Sequence, residues 1–449
     1  MKHKKLSLIF TIIFMVSSCN SVFAKTNDAP PSINGSAAIT LDVNTGEIIY
    51  TKDIDGTNYK KANSTKGMYP ASTTKLMTAL VFSKNKNKLS SDILKYNKSA
   101  IEQPKYSLYT DYKSANLKVG NSIPSQDVMN ALLLYSANDM AYVVAGNVGK
   151  TSTDDENSKK AVNNFIDMMN KEAEELHMKN THFVTANGLH DVNHYTTPYD
   201  LSLLGRAAAK DKWVSETIIK KKSDMHINNV TIPLENRNKL LEENINGAVC
   251  IGGKTGYTSD AGRCLVAIFN KNGHKIIGVV MNSIYDAKDS FVFEDMKKII
   301  DWSYKASKVN YLKKDSKVKT VSLKYKPLLF VGPEKTLQVP LLLKENVDYY
   351  KNTVNTKEIK TTINTDKLTL NNLSTNKPVA QITVSEREAV KSYDLYTNVS
   401  KSQILKDNIL LYSLVALSFI AVCALLIFIS IYINKIKRRH SRRKNKYWS

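Results

Sequence analysis

The chain has 449 residues, with 64 Lys+Arg against 41 Asp+Glu and a formal net charge of +23. That length suits a large catalytic domain with a smaller companion. The composition excludes collagen-like and low-complexity classes, and four cysteines exclude a disulfide-stapled scaffold.

Residues 1–24 carry a basic head (Lys2, Lys4, Lys5), a short apolar run and a small-residue exit at Ala24. These are the marks of a secretory signal peptide. Cys19 follows Val16-Ser17-Ser18, which loosely resembles a lipoprotein cleavage site, so that processing route stays open. Near the other end, 409–433 is an uncharged apolar run of 25 residues. A helix of that length reaches ~37 Å, against a hydrocarbon core of ~30 Å. Residues 434–449 then carry eight Lys or Arg and no acid. The positive-inside rule predicts a transmembrane helix, a cytoplasmic tail and an extracellular catalytic domain. Head and tail account for about half of the net charge, leaving +12 on the part between them. An exported protein seldom meets nucleic acid. Anionic wall polymers, lipid headgroups or plain solvation account for the rest.

Residues 37–50 read as two β-prone runs around Asn44-Thr45-Gly46, a hairpin. The stretch 59–67 is polar loop. Good helix formers run from 72 to 82, with Pro70 near the first turn. Ser125 after Pro124 reads as a helix cap, and 161–176 as a second helical block. Residues 264–269 and 274–281 read as strands joined by the turn 270–273, and 291–304 returns to helical spacing. This order predicts an α+β fold, an antiparallel sheet flanked by helices. Alternation at 321–325 and 380–384 predicts a small β-rich domain over 310–400, leaving 25–309 for the chemistry.

Three short motifs carry that chemistry. Ser72-Thr73-Thr74-Lys75 sets a hydroxyl and an amine on one helix face, where a desolvated lysine can take the serine proton. Ser136-Ala137-Asn138 joins a hydroxyl, able to relay a proton, to an amide able to bind a peptide carbonyl. Lys254-Thr255-Gly256 offers a cation and a hydroxyl for a carboxylate. Its glycine lets the backbone approach substrate, as an edge strand binding a peptide would. Each string alone is common. Their joint occurrence, in this order, resembles the S-x-x-K, S-D-N-like and K-T-G set of penicillin-binding proteins and serine β-lactamases.

The wider match is to the low-molecular-mass D-alanyl-D-alanine carboxypeptidases, peptidase family S11. It rests on 69–78, 135–139, 165–189, 194–201, 236–241 and 252–258. The resemblance implies a DD-peptidase/β-lactamase-like fold, peptidoglycan stem peptides as substrate, β-lactams as inhibitors and no cofactor or metal. It implies Ser72 as nucleophile, Lys75 as base and Ser136 as proton relay. Asn138 holds the peptide, while Lys254, Thr255 and Gly256 form the carboxylate strand. Backbone N–H groups of Ser72 and Tyr257 form the oxyanion hole. A transpeptidase, a β-lactamase or an inactive wall-binding protein shares these motifs, although no E-x-x-L-N string lies between Asn138 and Lys254. His190-Asp191-x-x-His194 offers a weak zinc alternative. Arg263 has no assignable role. A hairpin centred on 257–260 sets Lys254 opposite Arg263 and Cys250 opposite Ala267, which leaves Cys250 and Cys264 as free thiols.

Overall fold

The computed structural model describes residues 29–59, 67–89, 91–328 and 332–444. The signal segment 1–24, most of the 59–67 loop and the last five residues of the basic tail lie outside the described residues. The chain forms two compact units. One comprises residues up to Val43 and Ile49–Ser307; the other comprises Asn44–Ile48 and Lys308–Ser449.

The first unit is built on a six-stranded sheet. Its strands are β1 (Ala37–Asp42), β2 (Ile48–Lys52), β3 (Asn244–Ile245), β4 (Ala248–Thr258), β5 (Gly262–Lys271) and β6 (His274–Ser283). Their spatial order is β2-β1-β6-β5-β4-β3, with antiparallel pairing from β1 through to β3. The middle of β5 is buried without interruption from Cys264 to Phe269, because both faces of the sheet are covered. Val266 and Ile277 lie against Gly205 of helix Pro198–Lys210, whereas Gly278, one residue on, lies against Met296 and Ile300 of helix Phe291–Lys305. Adjacent residues thus serve opposite layers, as strand alternation requires. The Pro198 helix starts cleanly: Thr197 Oγ1 accepts the Asp200 N–H at 3.1 Å and proline occupies the first turn.

The remaining helices carry the chemistry-bearing residues. Helix α1 (Lys75–Asn85) is buried from Lys75 to Phe82. It packs against α2 (Asn138–Gly149) and α3 (Lys159–Glu175). Phe165, Met169 and Ala173 of α3 line one face at i, i+4 and i+8. Fully burying each large apolar side chain contributes about 1.5–3 kcal/mol, so this packing holds the helix ends in place.

Two sequence readings are corrected here. Ser125 is not the cap; it is the first helical residue, and Pro124 occupies the cap position. The β4–β5 hairpin is also shifted. Tyr257 stands opposite Arg263, Lys254 opposite Val266 and Cys250 opposite Phe269. The turn falls at 259–261, with Gly262 at φ +66°, so the partner of Lys254 moves by three positions, and a bulge between Cys250 and Gly252 takes one of these back. Cys250 and Cys264 are nonetheless both buried free thiols.

The second unit holds a five-stranded sheet formed by Lys317–Tyr325, Lys335–Leu343, Lys360–Asn364, Ala380–Glu386 and Ala389–Tyr396. One face supplies its core, including Val339, Leu341, Ile382 and Leu395. The other presents polar pairs such as Thr383 with Ser392. This is the one-sided pattern of an exposed antiparallel sheet. The unit ends in one helix, Ile409–Lys444, whose Ile409–Ser441 part is long and apolar enough to cross a membrane.

Candidate active site

Ser72 sits on a single 3-10 turn, Ala71–Thr74, that leads directly into α1. The sequence predicted one helix from residue 72; the tighter turn instead places Ser72 just ahead of the α-helical start. Ala71 adopts φ +50°, and Thr73 Oγ1 donates back to the Pro70 carbonyl at 2.7 Å, fixing the entry. Gly188, at φ +82°, lies against this turn. A Cβ there would stand 1.9 Å from the Ala71 carbonyl oxygen.

Lys75 lies one turn on, fully buried, with its amine 2.8 Å from Ser72 Oγ. The same nitrogen stands 2.8 Å from both Asn138 Oδ1 and the Asn187 carbonyl oxygen. Both of those partners are obligate acceptors. A neutral amine has two hydrogens, which they consume. Its lone pair then faces the Ser72 hydroxyl, the geometry a base needs. Burial holds the Lys75 amine well below its ordinary range, Arg237 adds to that, and Asp139 opposes it. The Lys254 amine is likewise held far down, by burial, Lys75 and Arg237.

Ser136 owes its position to an irregular helix. Residues Ala131–Tyr135 form a π-helical turn, and the Ala137 N–H bonds back to the Ala131 carbonyl. Ser136 is thrown into the left-handed region, φ +69°, before α2 begins at Asn138. Lys254 Nζ reaches across from β4 and donates to Ser136 Oγ at 2.8 Å and to the Thr255 carbonyl at 3.0 Å. Asn138 bridges two partners within the protein. Its Oδ1 meets Lys75, and its Nδ2 donates to the Lys105 carbonyl at 2.9 Å.

Strand β4 passes close to Ser72 because residue 256 is glycine. A Cβ there would lie 2.9 Å from the Pro70 carbonyl oxygen and 3.0 Å from the Ser72 backbone nitrogen. Next in the strand, Tyr257 stacks on Tyr285 with ring centroids 4.7 Å apart. The Arg263 guanidinium lies over both rings, at 4.8 and 4.9 Å, and pairs with Asp289 at 2.6 Å. Arg263, which the sequence left without a part, therefore braces the end of the β4 edge. A cleft of about 560 Å³ opens beside Thr255, lined by Tyr112, Tyr135, Arg237, Lys239 and Arg263. The structure thus gathers Ser72, Lys75, Ser136, Asn138, Lys254, Thr255 and Gly256 around one location, with Tyr257 at its rim.

Residues the sequence reading missed are Asn187, Arg237 and the Lys105–Tyr106 segment. Asn187 acts through a backbone oxygen, which has no side-chain signature. Arg237 lay inside a matched segment, but nothing marked it as facing the site. The zinc alternative fails on its own residues. The His194 Nδ1 accepts N–H groups from Val184 at 3.1 Å and Thr185 at 3.3 Å, so its Nε2–H donates to Thr74 Oγ1 at 2.9 Å. Both ring nitrogens are thus engaged, Nδ1 with the Val184–Thr185 backbone and Nε2 with the Ala71–Thr74 turn. Among the described residues no group of three potential metal ligands gathers.

Comparison with known proteins agrees with this geometry. The D-alanyl-D-alanine carboxypeptidase family model matches residues 24–284. The chain is 28% identical over 332 residues to D-alanyl-D-alanine carboxypeptidase DacD of Escherichia coli (strain K12), covering 72% of this chain and 77% of that one. It is 31% identical over 264 residues to the D-alanyl-D-alanine carboxypeptidase of Streptomyces sp. (strain K15), covering 56% and 82%. Among solved structures, the Streptomyces K15 DD-transpeptidase superposes with a TM-score of 0.51 at 27% identity, covering 62% of this chain and all of that one. The chain belongs to the D-alanyl-D-alanine carboxypeptidases of peptidase family S11, penicillin-binding serine hydrolases that act on peptidoglycan.

Proposed function

We propose that Ser72 is the nucleophile with which this carboxypeptidase removes the terminal D-alanine from pentapeptide stems. The observation that carries the assignment is the buried Lys75 amine, 2.8 Å from Ser72 Oγ, with Asn138 Oδ1 and the Asn187 carbonyl oxygen as its other two neighbours. Lys75 takes the Ser72 proton as Oγ attacks the carbonyl between the two D-alanines. The developing oxyanion sits between the backbone N–H groups of Ser72 and Tyr257. As the C–N bond breaks, the proton held by Lys75 is returned through the Ser136 hydroxyl to the leaving amine, which restores both groups for the next step. The Lys254 N–H donated to Ser136 Oγ leaves the serine's own hydrogen free to turn towards that nitrogen. Water then cleaves the ester, releasing a tetrapeptide stem and free D-alanine. A β-lactam follows the same path to a slowly hydrolysed acyl-enzyme.

The terminal carboxylate docks at Thr255 and Lys254, with Arg237 supplying the permanent charge. Lys254 is buried with its amine already bonded to Ser136, so it is a poor sole counter-ion. Asn138 positions Lys75. Residues 25–309 constitute the peptidase domain, and 310–400 a spacer or interaction domain. The span 409–433 anchors the enzyme with its catalytic domain outside and the basic tail 434–449 in the cytoplasm. The deciding experiment incubates the full-length enzyme in detergent with a pentapeptide muropeptide. Stoichiometric release of D-alanine, absent in Ser72→Ala, is expected. Turnover without free D-alanine, or a cross-linked product without tetrapeptide, overturns the reading.

A further inference from the structure

Tyr106 combines three features that nothing in the acyl-transfer chemistry requires. It is a bulky residue in the left-handed region, φ +63°. A side chain of this size rarely adopts that conformation, and such strain persists only where its surroundings enforce it. Its side chain is also largely exposed, although it is a large aromatic. Finally, its ring lies against the Arg237 guanidinium, whose Cζ is 4.7 Å from the ring centroid.

Arg237 is held from the other side as well. Its Cζ stands 4.8 Å from the centroid of Tyr135, and its Nε donates to the Tyr135 carbonyl at 2.6 Å. Tyr135 is in turn fixed by its hydroxyl, which donates to Asp111 at 2.7 Å, and by the edge of Tyr112 at 5.6 Å. The guanidinium therefore has two aromatic rings within 5 Å and one edge tied down, and it lines the cleft beside Thr255. A stacked guanidinium keeps its planar fork available to a carboxylate while losing the freedom to swing away.

The enforcing contact is the backbone of the same segment. The Tyr106 carbonyl accepts the Asn138 N–H at 2.8 Å, and the Lys105 carbonyl accepts Asn138 Nδ2 at 2.9 Å. Asn138 also holds Lys75. The strained turn is therefore tied to the residue that orients the base, while its side chain reaches the residue that lines the carboxylate end.

We propose that Tyr106 is a positioning residue for substrate recognition: its strained backbone presents the ring as one jaw of a Tyr106–Tyr135 clamp that holds Arg237 towards the substrate carboxylate. This rests on the reading of Arg237 as the carboxylate's cationic partner. The clamp adds affinity for an acyl donor ending in a free carboxylate and leaves the chemical step to Ser72 and Lys75.

The test uses the full-length enzyme in detergent and two peptides ending in D-Ala-D-Ala, one with a free carboxylate and one with that carboxylate amidated. Each is assayed for turnover and as a competitor of fluorescent-penicillin labelling, so affinity is read even where turnover is slow. Tyr106→Ala should raise KM for the carboxylate peptide on the order of 10-fold, with kcat within about twofold. It should leave affinity for the amide unchanged. Tyr106→Phe should behave as wild type, because the ring face and not the hydroxyl meets Arg237. Tyr106→Leu, which keeps bulk and loses the π face, should follow Tyr106→Ala and serves if the alanine variant folds poorly. Equal losses on both peptides, or an unchanged KM, overturn the clamp. Arg237→Ala separates the two ideas. If it fails to discriminate between the peptides, the assignment of Arg237 is wrong. If it discriminates and Tyr106→Ala does not, only the clamp is wrong.

Discussion

Lys254 Nζ stands 2.8 Å from Ser136 Oγ, although 118 residues separate them, and among the described residues no carboxylate accepts from that amine. Lys75 is likewise bonded, among the described residues, to neutral groups. Two buried lysines thus share a site with the permanent charge of Arg237, and burial together with that charge keeps both amines far below their ordinary range. The reactive protonation state is set by what surrounds the amines.

Acylation should therefore rise with pH through the Lys75 titration. The deprotonated amine is the active form, so the rate increases as pH climbs through a value well below the ~10.4 of free lysine. Fluorescent-penicillin labelling of the full-length enzyme across pH reads this directly. Ser72→Ala should abolish the label, and Lys75→Ala should reduce the rate by about 10²–10⁴-fold. Label persisting on folded Ser72→Ala, or an inflection at the free-lysine value, would contradict the mechanism.

Gly256→Ala should fold but acylate slowly. The new methyl would press on the Pro70 carbonyl, the Ser72 nitrogen and Ala71 Cβ, all within 3.1 Å. Relief requires β4 and the nucleophile turn to separate by a few tenths of an ångström or more. That displaces one oxyanion donor from the other, and a loss of about 10²-fold in acylation rate is expected. Thermal unfolding recorded alongside distinguishes this from misfolding. An unimpaired rate would mean that the close approach is not needed.

His194 should make stability sensitive to acid. Burial pushes its pKa down to about 3 from an ordinary 6.5. As pH falls, the unfolded chain takes a proton there near 6.5 and the folded chain does not until about 3. The stability due to a neutral His194 is thus complete above pH 6.5 and drains away below it, by several kcal/mol in all. Asp139, raised to about 6 by burial, has the opposite slope, so each pH needs its own wild-type control. His194→Gln should melt well below wild type at pH 7, and the gap should narrow steadily towards pH 4. A constant or widening gap in the melting curves would refute the assignment.

Truncation after Asp407 should release an active enzyme from the membrane. The helix Ile409–Lys444 is the described segment long and apolar enough to hold it there. Fractionation should move the protein from pellet to supernatant with D-alanine release per molecule unchanged within about twofold. A truncated chain that still pellets with membranes would locate the anchor elsewhere.

What could be read from the sequence divides along physical lines. Ser72 and Lys75 are visible because three residues is one helical step, and the Cys264–Met281 strands because their β-prone apolar runs flank clear turn residues. Ser136 and Lys254 were brought together only through motif order; no local periodicity connects β4 to a π-helical turn. The β4–β5 register differs from the sequence expectation because the turn falls at 259–261, where no Asn-Gly or Asp-Gly pair marks it, and because a bulge beyond it leaves no trace in apolar patterning. Asn187 contributes a carbonyl oxygen that any residue possesses. Tyr106 has no signature either, since its conformation is imposed by Asn138 and runs against its own preference.

The π-helical turn Ala131–Tyr135 makes the site depend on counting as well as on chemistry. Excising one residue from it, Leu133 for example, would let the segment relax into a regular helix with every side chain still apolar and buried. Each following residue would then be rotated by ~100° about the helix axis, and Ser136 would turn away from Lys254 with its hydroxyl intact. Substitutions along Leu132–Leu134 that conserve volume should be silent, while a one-residue deletion should be fatal. The spacing between Asn130 and Asn138 is therefore under a constraint of length that a residue-by-residue comparison of related chains would overlook.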